Sequence, residues 1–361
     1  MSTRLWCAVL CGYLALGATI QALPAIVDGR PGTVGLLVTL AAAATAVARP
    51  FAGRLADRGD GGTVALAGAV LVATGMLGHL AADGPAQLAV ARLVVGAGEG
   101  ALFTGALARV LADAPVERRG RLIGHFGLSM WGGLAAGPPL AAAVASAAGA
   151  RSALWLAAAA GALAVVLTVG VRSPGGGFRG GASPLLPRAA RRPGAILGLA
   201  SFGYGTVNAF AVPAAGTLAL AVFAAAFLAV RLAGSRLVDD LGPRTVILLS
   251  TVLEAAALAG VASGTGALAA LALAGASVAP VFPALAVWVV EAAPERERGA
   301  AVGAMTSCWD AGIAAAGPAG AVLVAHGDLA PAFLLASALA AFGALTTAAT
   351  RRIPDLGRAV A

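Results

Sequence analysis

The chemistry available to this chain rests on very few side chains, and the most telling of them interrupt long apolar runs. One stretch reads Arg92-Leu93-Val94-Val95-Gly96-Ala97-Gly98-Glu99-Gly100. Arg92 and Glu99 are seven residues apart, so on a helix they share a face and are separated by about 10 Å along the axis. Asp310 follows Trp309 in a second apolar run, and Glu254 lies in a third. Ionisable groups in such surroundings are costly, and they mark ion or substrate paths unless they are locked as structural groups. A carboxyl at the position of Glu99 can take up a proton on one side of a barrier and release it on the other. Asp310 offers the same chemistry in the second half of the chain, and Glu254 ranks third. For each, the alternative is a permanently hydrogen-bonded structural carboxyl.

Other chemistries lack their residues. There is no Lys in the sequence, so the phosphate-cradling loop that ends in Gly-Lys-Ser/Thr is absent, and with it the usual nucleotide-driven motor. The three histidines, His79, His125 and His326, and the three cysteines, Cys7, Cys11 and Cys308, are scattered. They form no metal-ligand spacing, no nucleophile–His–acid arrangement and no disulfide framework. No metal, no cofactor and no enzymatic activity are expected. The formal net charge of +8 comes from arginine alone. These arginines fall mostly in short turns between apolar runs, which is an orientation signal rather than a nucleic-acid footprint, so no nucleic acid is expected as a partner.

The elements that must carry these side chains follow from composition. Of 361 residues, 60% are hydrophobic and 11% charged, against about a quarter charged in soluble domains. The mean hydropathy is +0.91. The runs are continuous in Ala, Leu, Val and Gly, without the strict alternation of a barrel strand, so the expected fold is an all-α integral membrane protein. Residues 5–27 share features with a cleavable signal peptide, but the run is long enough to cross a bilayer and begins a series of such runs. Twelve spans are expected, at 5–27, 33–51, 63–82, 86–111, 122–148, 153–171, 194–212, 216–232, 246–264, 267–290, 300–325 and 331–349, with Pro213 as the boundary between the seventh and eighth. Residues 173–193, rich in Gly, Pro, Ser and Arg, read as a solvated linker between an N-terminal six-helix bundle (1–172) and a C-terminal one (194–361). The arginine bias places both termini and the linker in the cytoplasm and the chain in the plasma membrane.

The two halves echo each other. The charged stretch 49–62 recurs at 231–244, so that Arg49, Arg54, Leu55 and Asp57 return as Arg231, Arg236, Leu237 and Asp239. Ala114-Pro115 and the charges after it return at Ala293-Pro294, and Gly137-Pro138 returns as Gly317-Pro318. A period of about half the chain means a duplicated bundle, two pseudo-symmetric copies of six helices.

At this point the residues resemble the major facilitator superfamily, whose turn between helices 2 and 3 reads Gly-x-Leu-x-Asp-Arg-x-Gly-Arg-Arg and recurs between helices 8 and 9. Gly53, Leu55, Asp57 and Arg58 match its first half, while Asp60, Gly61 and Gly62 depart from it. In the second copy Asp239, Gly242 and Arg244 match, and Ser235 replaces the first Gly. Arg92 and Gly96 resemble the family's Arg-x-x-x-Gly element of helix 4.

The resemblance implies a secondary transporter with two bundles that rock about a central site. It gives the turn residues Gly53, Arg54, Asp57, Arg58, Arg236, Asp239, Gly242 and Arg244 a gating role, with Asp113 as an ionic partner, against the plainer reading of a solvated turn that only sets topology. Gly53 would let two helix ends approach closely. Helices 1, 4, 7 and 10 would line the cavity, bringing Tyr13, Gln21, Tyr204, Asn208 and Trp288 to its wall beside Arg92, Glu99 and Asp310. Each of the five also fits an interhelical hydrogen-bonding or packing role. Gly133, Gly137 and Pro138 resemble the antiporter element of helix 5, and Gly-x-x-x-Gly spacing by itself is ordinary close packing. The expected activity is proton-coupled export of a small organic solute by a monomer in the lipid bilayer. Uptake of a sugar-like metabolite, or a transporter-like receptor that does not translocate, stand as alternatives.

Overall fold

The computed structural model describes residues 2–27, 31–56, 60–112, 114, 119–171, 187–233, 237–294, 298–325 and 327–350. The described residues form helices and no strand: α1 (Ser2–Ile26), α2 (Pro31–Leu55), α3 (Gly61–Ala81), α4 (Pro85–Ala112), α5 (Arg119–Ala148), α6 (Ala150–Thr168), α7 (Arg188–Ala215), α8 (Ala219–Ala233), α9 (Leu237–Leu241), α10 (Pro243–Ala262), α11 (Ala267–Val278), α12 (Val281–Ala292), α13 (Arg298–Leu323) and α14 (Ala330–Ala349). Ten segments among them are long and apolar enough to cross a membrane, with Ala267–Ala292 counted as one. This makes the chain a multi-pass helical membrane protein. Helix α8 is apolar but only 15 residues long. Helix α13 is not among the ten, and its Thr306, Ser307, Asp310 and glycines dilute an otherwise apolar sequence. Large apolar side chains left exposed, such as Val47, Phe51, Trp155, Val166, Val322 and Leu345, are the surface a hydrocarbon solvent requires.

The chain divides into two compact units, Met1–Thr33 with Leu40–Gly181, and Val34–Thr39 with Ala182–Ala361. In the first unit α1 packs on α5 and α6, and α3 on α4 and α6. In the second, α7 packs on α13 and α14, and α10 on α11 and α14. The same neighbours thus occur twice in the same chain order.

Small residues bring the backbones together, as expected where apolar burial does not favour helix association over lipid. A Cβ placed on Gly133 or Gly137 of α5 would strike the α1 backbone at Leu10 and Leu14 or at Leu14 and Ala18. On α4, Gly96 and Gly100 rest on the carbonyls of Ala41 and Thr45 in α2, while Gly98 and Gly105 rest on α3. Gly275 of α11 meets the Phe223 carbonyl of α8 in the same way that Gly96 meets Ala41.

The structure corrects several expected boundaries. Helix α2 runs through Pro50 to Leu55, so Arg49 and Arg54 belong to its last two turns rather than to a turn region. Helix α7 begins at Arg188, within the expected linker, and continues through both Pro193 and Pro213. Its end is Gly216, whose φ of 83° is a conformation that side-chain-bearing residues rarely adopt, and the boundary expected at Pro213 moves there. The span expected at 267–290 is broken at Ala279–Pro280 into α11 and α12, because Pro280 and Pro283 have no N–H to continue the hydrogen-bond ladder.

Candidate functional site

Within the first unit, α4 meets α2 and α3 through its glycines, and Arg92, Glu99 and Phe103 lie along the same stripe of the helix as Gly96, which faces α2. Glu99 is half-buried. The hydroxyl of Thr45 on α2 donates to the carbonyls of Ala41 and Gly96, both at 2.9 Å, and lies 3.5 Å from Oε2 of Glu99. Thr45 is itself fully packed, so the donor is fixed relative to the carboxyl. One helical turn further along both helices, the Arg49 guanidinium lies 5.5 Å from the centre of the Phe103 ring. Phe103 makes an edge contact with Tyr13 of α1 at 6.2 Å and a tilted one with Phe126 of α5 at 5.8 Å. A carboxyl, a hydroxyl, a guanidinium and three rings thus occupy one neighbourhood. Such a set can exchange a proton, pair with a cation and cover an apolar ring system.

Arg92 is almost completely buried, at 1% exposure, two turns nearer the start of α4 than Glu99. His79 of α3 is buried as well. The Nδ1–H of His79 donates to the Gly75 carbonyl at 2.7 Å. Gln21 is buried on α1.

The second unit places Tyr204 of α7 in ring contact with Phe223 of α8 at 5.7 Å and with Trp309 of α13 at 5.2 Å. Asp310 is buried beside that Trp309. The Asn208 amide donates to the Tyr204 carbonyl at 2.8 Å, turned onto its own helix. Trp288 is buried on α12. Glu254 of α10 is also buried, with its Oε1 against Gly203 of α7, and its Oε2 has no hydrogen-bond partner among the described residues. It is as enclosed as any of the carboxyls ranked above it.

Of the turn residues, Asp57, Arg58, Asp113 and Arg236 lie outside the described residues, and Asp239 lies in α9 with its side chain outside them. Among the described residues Gly53 does not mediate the close approach expected of it: of these, a Cβ there would meet only the Thr104 methyl, at an ordinary 3.9 Å. Arg54 is exposed, with its guanidinium 5.9 Å from the Phe51 ring. Gly242 has a φ of 76° at the start of α10, a position that favours glycine. Arg244 donates to the Ala348 carbonyl of α14 at 3.0 Å. Pro138 is buried in α5 and Pro318 is exposed on α13, while Gly317 faces Gly35 and Thr39 of the same unit.

Three participants went unseen in the sequence. Thr45 and Phe103 sit in apolar runs and gain meaning only when α2 and α4 are paired. Arg49 stood out only as a turn residue. The available signal was spacing, since Thr45–Arg49 and Glu99–Phe103 are both four apart and so form two matching ladders.

Comparison with known proteins agrees with this architecture. The sequence pattern of the Major Facilitator Superfamily matches residues 5–215 and again 208–359. An uncharacterised MFS-type transporter of Salmonella typhimurium is 30% identical over 371 residues, spanning 94% of both chains. YhhS, an uncharacterised MFS-type transporter of Escherichia coli, is 28% identical over 95% of this chain and 90% of its own. Among solved structures, the nucleoside transporter NupG superposes with a TM-score of 0.72 at 14% identity, over 96% of this chain and 98% of its own. The human organic anion transporter MFSD10 does so with a TM-score of 0.70 at 17% identity, over 96% and 98%.

Proposed function

The chain belongs to the Major Facilitator Superfamily and is a membrane transporter rather than an enzyme, and from that premise we propose that it exports a small amphiphilic organic solute in exchange for protons. Glu99 carries the exchanged proton, and the rings of Tyr13 and Phe103 beside it receive the apolar part of the solute; in the second unit Tyr204, Trp288 and Trp309 offer rings of the same kind. Asp310 serves as a second polar contact, and Arg92 or Arg49 takes a polar or anionic group on it. The observation that supports this reading most directly is the half-buried Glu99 carboxyl beside a fixed hydroxyl donor and a guanidinium–aromatic pair. A carboxyl so placed can be paired or protonated without leaving its helix.

The reading includes twelve spans in two bundles joined by a cytoplasmic linker, with α8 and α13 supplying the two crossings beyond the ten. The chain lies in the plasma membrane with both termini in the cytoplasm, and one chain is the working unit. Alternating access then moves one bundle against the other. In that cycle Asp57 and Arg58 form the gate. Asp57→Asn is expected to slow transport several-fold while equilibrium substrate binding survives, and unchanged turnover would return the pair to a topology role. Thr45→Val keeps the side-chain shape and removes the donor beside Glu99. It is expected to reduce substrate-evoked proton movement several-fold with unchanged protein yield, and a parental rate would remove Thr45 from the mechanism. The function itself is tested by loading liposomes that contain the purified protein with labelled nucleosides, organic anions, sugars or amphiphilic drugs. Protein-dependent release of one class supports transport, and binding without release of any supports a receptor.

A further inference from the structure

The apolar span Ala267–Ala292 breaks at its midpoint, and helix bookkeeping shows what the break leaves behind. The carbonyl of Ala279 would ordinarily accept from the N–H four residues on. That residue is Pro283, which has none. Inside a bilayer such a carbonyl must find another donor. Nη1 of Arg231, in the last turn of α8, donates to it at 2.9 Å. The first unit shows the contrast. Its span α4 has no proline after its first residue, and there Arg49, the repeat counterpart of Arg231, lies over the Phe103 ring.

We infer that Arg231 is a positioning residue, which supplies the hydrogen-bond donor that Pro283 withholds and thereby fixes α12, with its Trp288, relative to α11. The donor sits on a different helix, so the angle at the break depends on where α8 lies. Movement of α8 is passed to Trp288 through one charge-assisted hydrogen bond. The assignment stands on helix geometry; only its bearing on transport rests on the function proposed above.

The test uses the full chain with Cys7, Cys11 and Cys308 replaced by Ser and a single reporter cysteine in place of Ala286 on α12, labelled by a membrane-impermeant maleimide in vesicles of both orientations. Arg231→Met is expected to raise the labelling rate from one side about tenfold, the factor carried by one hydrogen bond to a charged group. Arg231→Lys, which retains a donor, is expected to stay near the parental rate. Pro283→Ala restores the missing N–H, so Arg231→Met/Pro283→Ala is expected to return towards the parental rate. If Arg231→Met alone yields no folded protein, the double variant must restore the yield. An unchanged rate in Arg231→Met overturns the assignment, as does a double variant no better than the single one, because a merely structural loss would not be repaired by a backbone N–H on another helix. None of these readouts requires a transported substrate, so they fail or succeed independently of the export reading.

Discussion

Replacing Glu99 by Gln is expected to abolish proton movement evoked by substrate while leaving the protein folded. Gln has nearly the shape of Glu and can still receive the Thr45 hydroxyl, which lies 3.5 Å from Oε2 in the native protein. The glycine contacts of α4 with α2 and α3 are kept, because Gln fills nearly the same volume as Glu. What is lost is the ability to bind and release a proton. An exchanger that has lost its proton site retains exchange of solute for solute, because the two bundles can still rock with the cavity loaded. Net flux driven by a pH gradient should therefore fall by at least tenfold, whereas counterflow of labelled against unlabelled solute should persist. Asp310→Asn is the control. If it is the variant that loses coupling, the titrating group lies in the second unit.

Gly96→Val is expected to give the largest structural effect. A Cβ at Gly96 would run into the carbonyl oxygen and Cα of Ala41, which are backbone atoms of a spanning helix and cannot rotate aside. Overpacking of this kind costs about 1–3 kcal/mol, occasionally more, and here α2 must also draw back from α4, which breaks the hydrogen bond from Thr45 to the Gly96 carbonyl. The expected result is a fall in the thermal midpoint of the detergent-solubilised protein by many degrees, or loss of monodisperse protein. Gly303→Val on α13, where a Cβ would meet nothing within 4 Å among the described residues, should be tolerated. Equal stability of the two variants would show that the α2–α4 approach is looser than its geometry.

The membrane architecture was legible because apolar length is written directly in the sequence, and the duplication because the charged turns repeat in register. Glu99 and Arg92 stood out since so few charges interrupt the runs. The ladder that pairs Thr45 and Arg49 with Glu99 and Phe103 was hidden, because it depends on which face of α2 meets α4, and the small-residue contacts that decide this are uniform in an Ala- and Gly-rich chain. Prolines misled in both directions. Pro193 and Pro213 were read as breaks, yet α7 runs through them. Pro280 and Pro283 were read through, yet they divide a span. Whether a proline breaks a helix depends on whether neighbouring groups satisfy the carbonyls it orphans, and that is settled by tertiary structure. Gly53 shows the same limit. It matches a family pattern, yet the described residues around it leave room for a side chain.

The most direct test of proton-coupled export is made with the unsubstituted protein in liposomes that enclose a pH-sensitive dye. A pH gradient is imposed, and candidate solutes are added one class at a time. Proton movement that begins only when a transported solute is present, and that scales with its concentration, is the predicted result. Labelled solute that crosses with no accompanying proton movement would contradict the account and leave facilitated diffusion in its place.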